Sequence, residues 1–173
     1  MSFSSHSMNQ GHPYLDLIAH QTSSEVFHAK EWGISWGHEI VDELKEVAKG
    51  NVHSRARLCL HPHPDDLHQE MLIVMARSAI EVPHRRTIGF DSKVVVEGQA
   101  DLRYYSPVGD FLRSVSLGHD SSLYVHTVGT EYHSLVAESD WFVFLEILQG
   151  PFDGDTTEWA SWGDEIGRSD DSV

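Results

Sequence analysis

The spacing of hydrophobic positions changes once along this chain, from a helical repeat to strand-like alternation. The helical repeat lies in the segment HEIVDELKEVA, whose apolar positions are Ile40, Val41, Leu44, Val47 and Ala48. Positions three and four apart share one face of a helix. With Ser35 as a cap and Gly50 as a stop, the pattern predicts one amphipathic helix over about residues 36–48.

From Arg57 onward the apolar period is two, which is typical of β-strands. The alternating runs are RLCLH, EMLIVMA, SKVVVEG, ADLRYYS, FLRSVSL, LYVHTV, HSLVAE and WFVFLEIL. Turn-forming stretches such as PDD, PVGD and ESD separate them. Several short strands at about ten-residue spacing predict an all-β sandwich, jelly roll or small barrel.

The two ends of the chain differ from this central pattern. Residues 1–31 are rich in Ser, His and Gln and show no sustained period, which predicts a flexible arm, disordered or laid over a neighbour. We therefore predict one domain over residues 32–165, followed by an acidic tail over residues 166–173. The aromatic residues before that tail are expected to pack back on the domain: Phe152, Trp159 and Trp162.

Composition and motifs narrow the classes of function. The chain has 12 Lys and Arg against 27 Asp and Glu, and a net charge of −15 disfavours nucleic-acid binding. No apolar run approaches the roughly 18 residues of a membrane span. The single cysteine, Cys59, cannot form an internal disulfide, so we expect a cytoplasmic protein in which it packs as a small apolar group. Serine hydrolases, NTPases and dinucleotide-dependent enzymes lack their usual motifs here.

The candidate chemistry is concentrated in the segment PHRRTIGFDSKVVVEG. On a strand, His84 and Arg86 point to one face and Arg85 to the other. After the turn at TIG, Asp91 and Lys93 share a face of the next strand. If the hairpin closes with His84 and Asp91 inward, Arg86 and Lys93 enter the same cavity.

This segment, with His133 in the later stretch GTEYHSL, resembles the cupin metal motif, in which HxH-x4-E and a glycine precede a distant histidine. Together with RLCLHPHPDDLHQEML and QGPFDGDTTEWASW, it is similar to the WbuC family of cupin-fold proteins over residues 34–165. The resemblance implies a double-stranded β-helix, a jelly-roll barrel with one N-terminal α-helix and an irregular aromatic C-terminal tail. It also implies a homodimer, with residues 1–31 as a candidate exchange element.

The resemblance places the four family ligands on His84, Arg86, Asp91 and His133. Arg86 stands where a second histidine is expected, and a guanidinium offers no lone pair to a metal. Asp91 stands for a glutamate. The remaining set of His84, Asp91 and His133 suits iron, zinc, nickel or manganese. The alternative is a metal-free pocket held by an Arg86–Asp91 ion pair.

The remaining histidines are less informative. His61 and His63 in HPHP could share a face, but the flanking prolines indicate a solvated strand end. The resemblance supports His61, rather than His63, as a ligand-binding residue. The histidines outside the strand region share no ligand spacing and are expected at the surface: His6, His12, His20, His28, His38 and His53.

Two classes of function stay open at this point. As a binding module, the barrel would hold a small polar or anionic ligand through Arg86, Lys93 and His61. As a WbuC-like enzyme, it would act on a sugar nucleotide or related surface-polysaccharide precursor, in an isomerase- or epimerase-like reaction. A metal at the three remaining ligands would assist it, or His133 or His84 would act as the base while Arg86 held a carboxylate or phosphate. The arginine substitution favours the binding module.

Overall fold

The computed structural model describes residues 11–128, 131–151 and 156–163. The elements are α1 (Leu15–Ile18), β1 (Ala19–Gln21), β2 (Val26–Ala29), α2 (His38–Lys49), β3 (Arg55–Cys59), β4 (His68–Ala76), β5 (His84–Arg86), β6 (Phe90–Glu97), β7 (Gln99–Tyr105), β8 (Phe111–Gly118), β9 (Tyr124–Val128), β10 (Tyr132–Ala137), β11 (Trp141–Gln149) and β12 (Thr157–Trp159). Within these residues, no helix has both the length and the apolar character that crossing a bilayer requires.

The strands form two sheets whose inner faces share one apolar core. The larger sheet has the order β1-β2-β3-β4-β11-β6-β9, and the smaller has the order β12-β5-β10-β7-β8. Met75 and Phe144 from the larger sheet pack in one cluster with Leu102 and Leu135 from the smaller. The predicted all-β jelly-roll barrel with one main helix is confirmed.

Helix α2 covers the outer face of the larger sheet. Leu44 of this helix packs in one cluster with Leu58 of β3, Leu72 of β4 and Val143 of β11. Because alternate positions of these strands face either the helix or the barrel, runs such as MLIVMA are apolar throughout. The helix begins after Gly37, not Ser35, and no side chain caps its N-terminus.

The prediction of a flexible arm is wrong for residues 11–31. Leu15 and Phe27 are buried against the helical side of the sheet. Strand β2 pairs with β1 and, in parallel, with β3. The elements here are only three or four residues long, too short for a hydrophobic period to show. Residues 1–10 and the predicted tail at 166–173 lie outside the described residues.

The aromatic residues near the C-terminus behave differently from one another. Trp162 packs back as predicted, with its ring centroid 5.5 Å from that of Tyr105 and 5.6 Å from that of Tyr132. Trp159 on β12 stays 58% exposed, so burial of this side chain is not what holds it in place. Phe152 lies outside the described residues.

We predict that Gly98→Ala destabilises the fold far more than Gly33→Ala. Both glycines have φ +82°, which costs any L-residue about 1–2 kcal/mol. A Cβ at Gly98 would also collide with the carbonyl oxygen of Trp141 and lie 2.5 Å from Ser139 Oγ, whereas nothing lies within 4 Å at Gly33. We expect losses of about 3 kcal/mol or more and about 1 kcal/mol, respectively, from urea unfolding. Equal losses would contradict this account.

Candidate functional site

A row of rings crosses the inner face of the smaller sheet. Trp159, His84, His133 and Tyr104 are successive register partners on β12, β5, β10 and β7. Directly opposed residues on antiparallel strands share a face, so these side chains lie side by side. The centroid of His84 is 5.0 Å from that of Trp159 and 4.9 Å from that of His133, and His133 lies 6.1 Å from Tyr104. The row forms one wall of the barrel interior.

The larger sheet places charged side chains against this row. Lys93 Nζ lies 3.3 Å from Asp91 Oδ1 and 3.1 Å from Glu146 Oε1. Asp91 Oδ2 lies 3.3 Å from His133 Nε2 on the opposite sheet. Lys93, Asp91 and His133 are only 2%, 3% and 1% exposed. We call Glu146, Lys93, Asp91 and His133 the buried charge network.

The network shifts the pKa values of Asp91 and Lys93 in opposite directions. Burial by itself raises the pKa of Asp91, but the charge of Lys93 and contact with His133 outweigh it and hold that pKa well below its usual range. Burial lowers the pKa of Lys93, but Glu146 and Asp91 outweigh it and hold the pKa above its usual range. The carboxylate and the ammonium therefore both stay ionised near neutral pH.

The two histidines of the row have defined proton positions. His84 Nδ1 lies 3.1 Å from the Val82 carbonyl oxygen, and His133 Nδ1 lies 3.2 Å from that of Glu131. A carbonyl oxygen only accepts, so each Nδ1 carries the proton. Burial lowers the pKa of His84, with Glu81 partly opposing it. Neutral His84 therefore has its lone pair on Nε2.

Arg86 lies apart from this network. The structure places His84 and Arg86 on the cavity and Arg85 on the outer face, where Arg85 Nη2 donates to Glu158 Oε2 at 2.7 Å. Arg86 is 6% exposed, and its Nη2 donates to the carbonyl oxygen of Gln149 at 3.2 Å. Within the described residues, Arg86 contacts no carboxylate.

The predicted Arg86–Asp91 ion pair is therefore not formed. Asp91 pairs with Lys93 because the two lie two positions apart on one face of β6, whereas the Arg86 guanidinium donates to the Gln149 carbonyl oxygen and to Thr156 Oγ1. The sequence pattern predicted that Arg86 and Lys93 enter one cavity, but it could not predict which of them lies closer to Asp91.

Several of these side chains line a cavity of about 610 Å³. Its polar lining includes His84, Arg86 and Asp91, and Phe144 and Leu148 add apolar surface. Among the described residues, four buried polar atoms have no partner in good hydrogen-bond geometry: Arg86 Nε, Asp91 Oδ1, Lys93 Nζ and His133 Nε2. The last three atoms lie at ion-pair distance from an oppositely charged group but are poorly aligned for a hydrogen bond. Of the four atoms, Arg86 Nε therefore has neither a hydrogen bond nor an ion-pair partner.

The set of His84, Asp91 and His133 fits a divalent metal poorly. The donor atoms of these three residues do not all lie within 4.8 Å of one another. In the described part of the chain, a different group of residues meets this condition. The ammonium of Lys93 also lies 3.3 Å from Asp91, where it already neutralises the carboxylate and would repel a cation. These residues fit the ion-paired ammonium better than a metal.

The group that does meet the condition is His28, Cys59 and His61. It lines the same cavity. Two predictions are wrong here: His28 is partly buried rather than a free surface residue, and His61 is 2% exposed rather than solvated. Cys59 is buried as expected, and burial raises the pKa of its thiol to about 11. Spacing gave no signal, because His28 reaches Cys59 only through the β2–β3 pairing.

Three further polar residues of the barrel were not predicted as site residues. Tyr104 is the register partner of His133. Glu81 Oε2 accepts a 2.6 Å hydrogen bond from the amide of Leu135. Glu146 pairs with Lys93, and it is the one charged residue in the otherwise apolar run WFVFLEIL. That isolated carboxylate was a signal of a buried charged partner.

Comparisons with known proteins support the fold. No protein-family model matches the chain, and no curated protein matches it. Among solved structures, the capsular polysaccharide assembling protein CapF of Staphylococcus aureus has a TM-score of 0.54 at 15% identity, over 63% of this chain and 32% of that one. The chain has the cupin fold.

Two further structures agree with this assignment of the cupin fold. CapF with the inhibitor 3-isopropenyl-tropolone has a TM-score of 0.52 at 16% identity, over 60% of this chain and 30% of that one. A Shewanella oneidensis protein has a TM-score of 0.51 at 14% identity, over 59% of this chain and 67% of that one. The match thus spans less than a third of CapF, and such identities establish the fold alone.

We predict that Lys93→Met destabilises the barrel by about 3–5 kcal/mol, because it leaves two carboxylates without their counter-charge. Lys49→Met is the matched control: Lys49 pairs with Glu46 on the surface of α2, and a change within about 0.5 kcal/mol is expected. Urea unfolding at neutral pH measures both. A loss below about 1 kcal/mol for Lys93→Met would contradict the network.

The deficit of Lys93→Met should also depend on pH. Because folding lowers the pKa of Asp91, its contribution to stability is complete above about pH 4 and is lost as the pH falls further. In Lys93→Met the main cause of that low pKa is gone, and protonation relieves the unpaired carboxylates. The gap between parent and variant should shrink between about pH 5 and pH 2. A gap that stays constant over that range would reject the assignment.

Proposed function

We propose that this cupin-fold protein binds a small ligand through its carboxylate or phosphate group, with Arg86 as the anion-binding residue. The observation that carries the proposal is that Arg86 is buried, lines the cavity and contacts no carboxylate in the described part of the chain. A buried charge without a counter-charge is costly, and a ligand anion would supply it. The planar guanidinium matches both groups in a bidentate manner.

The rest of the cavity suits a small organic ligand. Its volume of about 610 Å³ lies within the usual range for small-molecule sites. His84 Nε2 offers an acceptor, and Trp159 offers an exposed aromatic face beside it. The net charge of −15 repels anions at long range, so short-range contact with Arg86 would provide the attraction.

Lys93 has a different role in this proposal from the one that the sequence suggested. Its ammonium lies between two carboxylates, so little of its charge is available to a ligand anion. We assign Lys93 to holding Asp91 and His133 in place. His61, the third residue expected to bind the ligand, belongs to the opposite wall of the cavity.

A second candidate function is an enzyme of the WbuC type, acting on a sugar nucleotide or surface-polysaccharide precursor. It is favoured by His84, whose Nε2 lone pair is free and which lines the cavity together with Arg86, an arrangement that suits a general base. Of the two predicted bases, His84 would move the proton, because each ring nitrogen of His133 already faces an acceptor. Arg86 would hold the phosphate. CapF is described as assembling capsular polysaccharide, which agrees with this class of substrate. A homodimer remains part of this prediction.

We predict that Arg86→Gln loses anion binding and that Arg85→Gln keeps it. The probes are inorganic phosphate, small mono- and dicarboxylates and sugar phosphates, screened by thermal shift. A probe at about a hundred times its Kd should stabilise the parent by about 2.7 kcal/mol, or roughly 5–10 °C. Removing a charge-assisted contact should weaken binding about 10–100-fold.

Arg85→Gln is a close control because it removes the adjacent guanidinium, which faces away from the cavity and pairs with Glu158. Its binding affinity should equal that of the parent. The proposal fails if no probe stabilises the parent, or if the two variants lose affinity equally.

We further expect no turnover when the protein is incubated with nucleoside diphosphate sugars and followed by NMR. Turnover that is abolished in His84→Gln and retained in His63→Gln would replace the binding function by the enzymatic one. His63 is a suitable control because it is exposed and lies outside the ring row.

A further inference from the structure

The cavity has a second polar wall, formed by His28, Cys59 and His61. One nitrogen of each histidine and the sulfur of Cys59 all lie within 4.8 Å of one another. All three side chains line the cavity, and Cys59 and His61 are almost completely buried. None of the three residues belongs to the buried charge network, so they form a separate group of candidate metal donors.

The fold brings these residues together from different parts of the chain. His28 on β2 and Cys59 on β3 are register partners in the parallel pairing. His61 follows Cys59 by two positions, and the amide of Leu60 between them donates to the carbonyl oxygen of Glu70 at 2.8 Å. That bond continues the pairing with β4 by one residue beyond β3, and both Cys59 and His61 line the cavity.

The orientation of His61 suits metal coordination. Its Nδ1 lies 3.1 Å from the carbonyl oxygen of Glu70, which can only accept, so Nδ1 carries the proton and Nε2 the lone pair. A backbone carbonyl that fixes the ring in this way is the usual outer partner of a metal-bound histidine. The ring of His28 meets that of His61 edge to face, with centroids 5.8 Å apart.

The donor types indicate the class of ion. Two imidazole nitrogens and one thiolate sulfur favour zinc and similar transition metals over magnesium, calcium or manganese, which prefer oxygen. Cys59 is the only cysteine, so a disulfide does not compete for its sulfur. Met71, the register partner of Cys59 on β4, lines the cavity beside it and adds a second soft sulfur to the surroundings.

We propose that His28, Cys59 and His61 bind a transition-metal ion of the zinc type and leave its fourth coordination position open to the cavity. Three protein ligands and one open position are the arrangement of zinc sites that bind water or a ligand, whereas purely structural sites are closed by four. The proposal uses none of the residues assigned to anion binding and does not depend on it.

The test uses the full chain without a histidine tag, stripped of metal with a chelator. Titration with Co²⁺ should produce a thiolate-to-metal charge-transfer band, and calorimetry with Zn²⁺ should give one ion per chain. Cys59→Ser should abolish the band, because serine keeps the size but not the thiolate. His28→Gln and His61→Gln should weaken Zn²⁺ binding by at least about 100-fold, the upper end of the loss seen for outer-shell residues.

Matched controls separate this site from its surroundings. His20→Gln and His63→Gln remove exposed histidines near the group and should leave Zn²⁺ affinity unchanged. Arg86→Gln should also leave it unchanged, so failure of the anion-binding proposal is distinguishable from failure of this one. His84→Gln and His133→Gln test the predicted cupin position.

Zn²⁺ protection of Cys59 from alkylation by iodoacetamide, reversed by chelator, gives a readout on the parent if a buried-site variant does not fold. The proposal is overturned if Zn²⁺ neither protects Cys59 nor produces one-to-one binding. It is equally overturned if binding survives Cys59→Ser and His61→Gln but is lost in His84→Gln or His133→Gln.

Discussion

The buried ammonium of Lys93 is the interaction on which the interior of the barrel depends. Two carboxylates hold it, Glu146 on the adjacent strand and Asp91 on its own strand, and Asp91 extends the contact to His133 on the opposite sheet. Burying an ion costs several kcal/mol, so each of these charges is tolerable only while its neighbour of opposite sign is present. The two sheets are thereby joined by charge as well as by apolar packing.

Because of this constraint, Lys93 and Arg86 have different roles, although the two cations look alike in the sequence. Lys93 lies between Asp91 and Glu146 and neutralises their carboxylates. Arg86 is left with backbone and hydroxyl contacts and with one Nε–H unused in the described structure. The groups available to a ligand therefore lie on the walls of the cavity and not at the centre of the barrel. One wall carries a guanidinium, and the other carries a group of nitrogen and sulfur donors.

Local periodicity was enough to predict an all-β fold, the single main helix and the sharing of a face by His84 and Arg86, because these follow from spacing along one element. The choice of a jelly-roll barrel came from the resemblance to cupin proteins. Local periodicity could not rank Lys93 and Arg86 as partners of Asp91, since that depends on where each side chain lies once the two sheets are packed. It also could not place His28, whose neighbours come from a pairing across a helix. The spacing of residues along one strand can be read from the sequence, whereas contacts between distant strands depend on the topology of the fold.

The parallel pairing of β2 with β3 has a consequence for how the cavity is assembled. Parallel neighbours need a crossover, and here α2 supplies it, so β2, α2 and β3 form a βαβ unit attached to an otherwise antiparallel barrel. The wall that carries Arg86 belongs to the barrel itself, whereas His28 belongs to the attached βαβ unit. Because side chains alternate along a strand, a one-residue slip in the pairing of β2 with β3 would turn His28 away from Cys59, and it would leave Arg86 on the other wall in place.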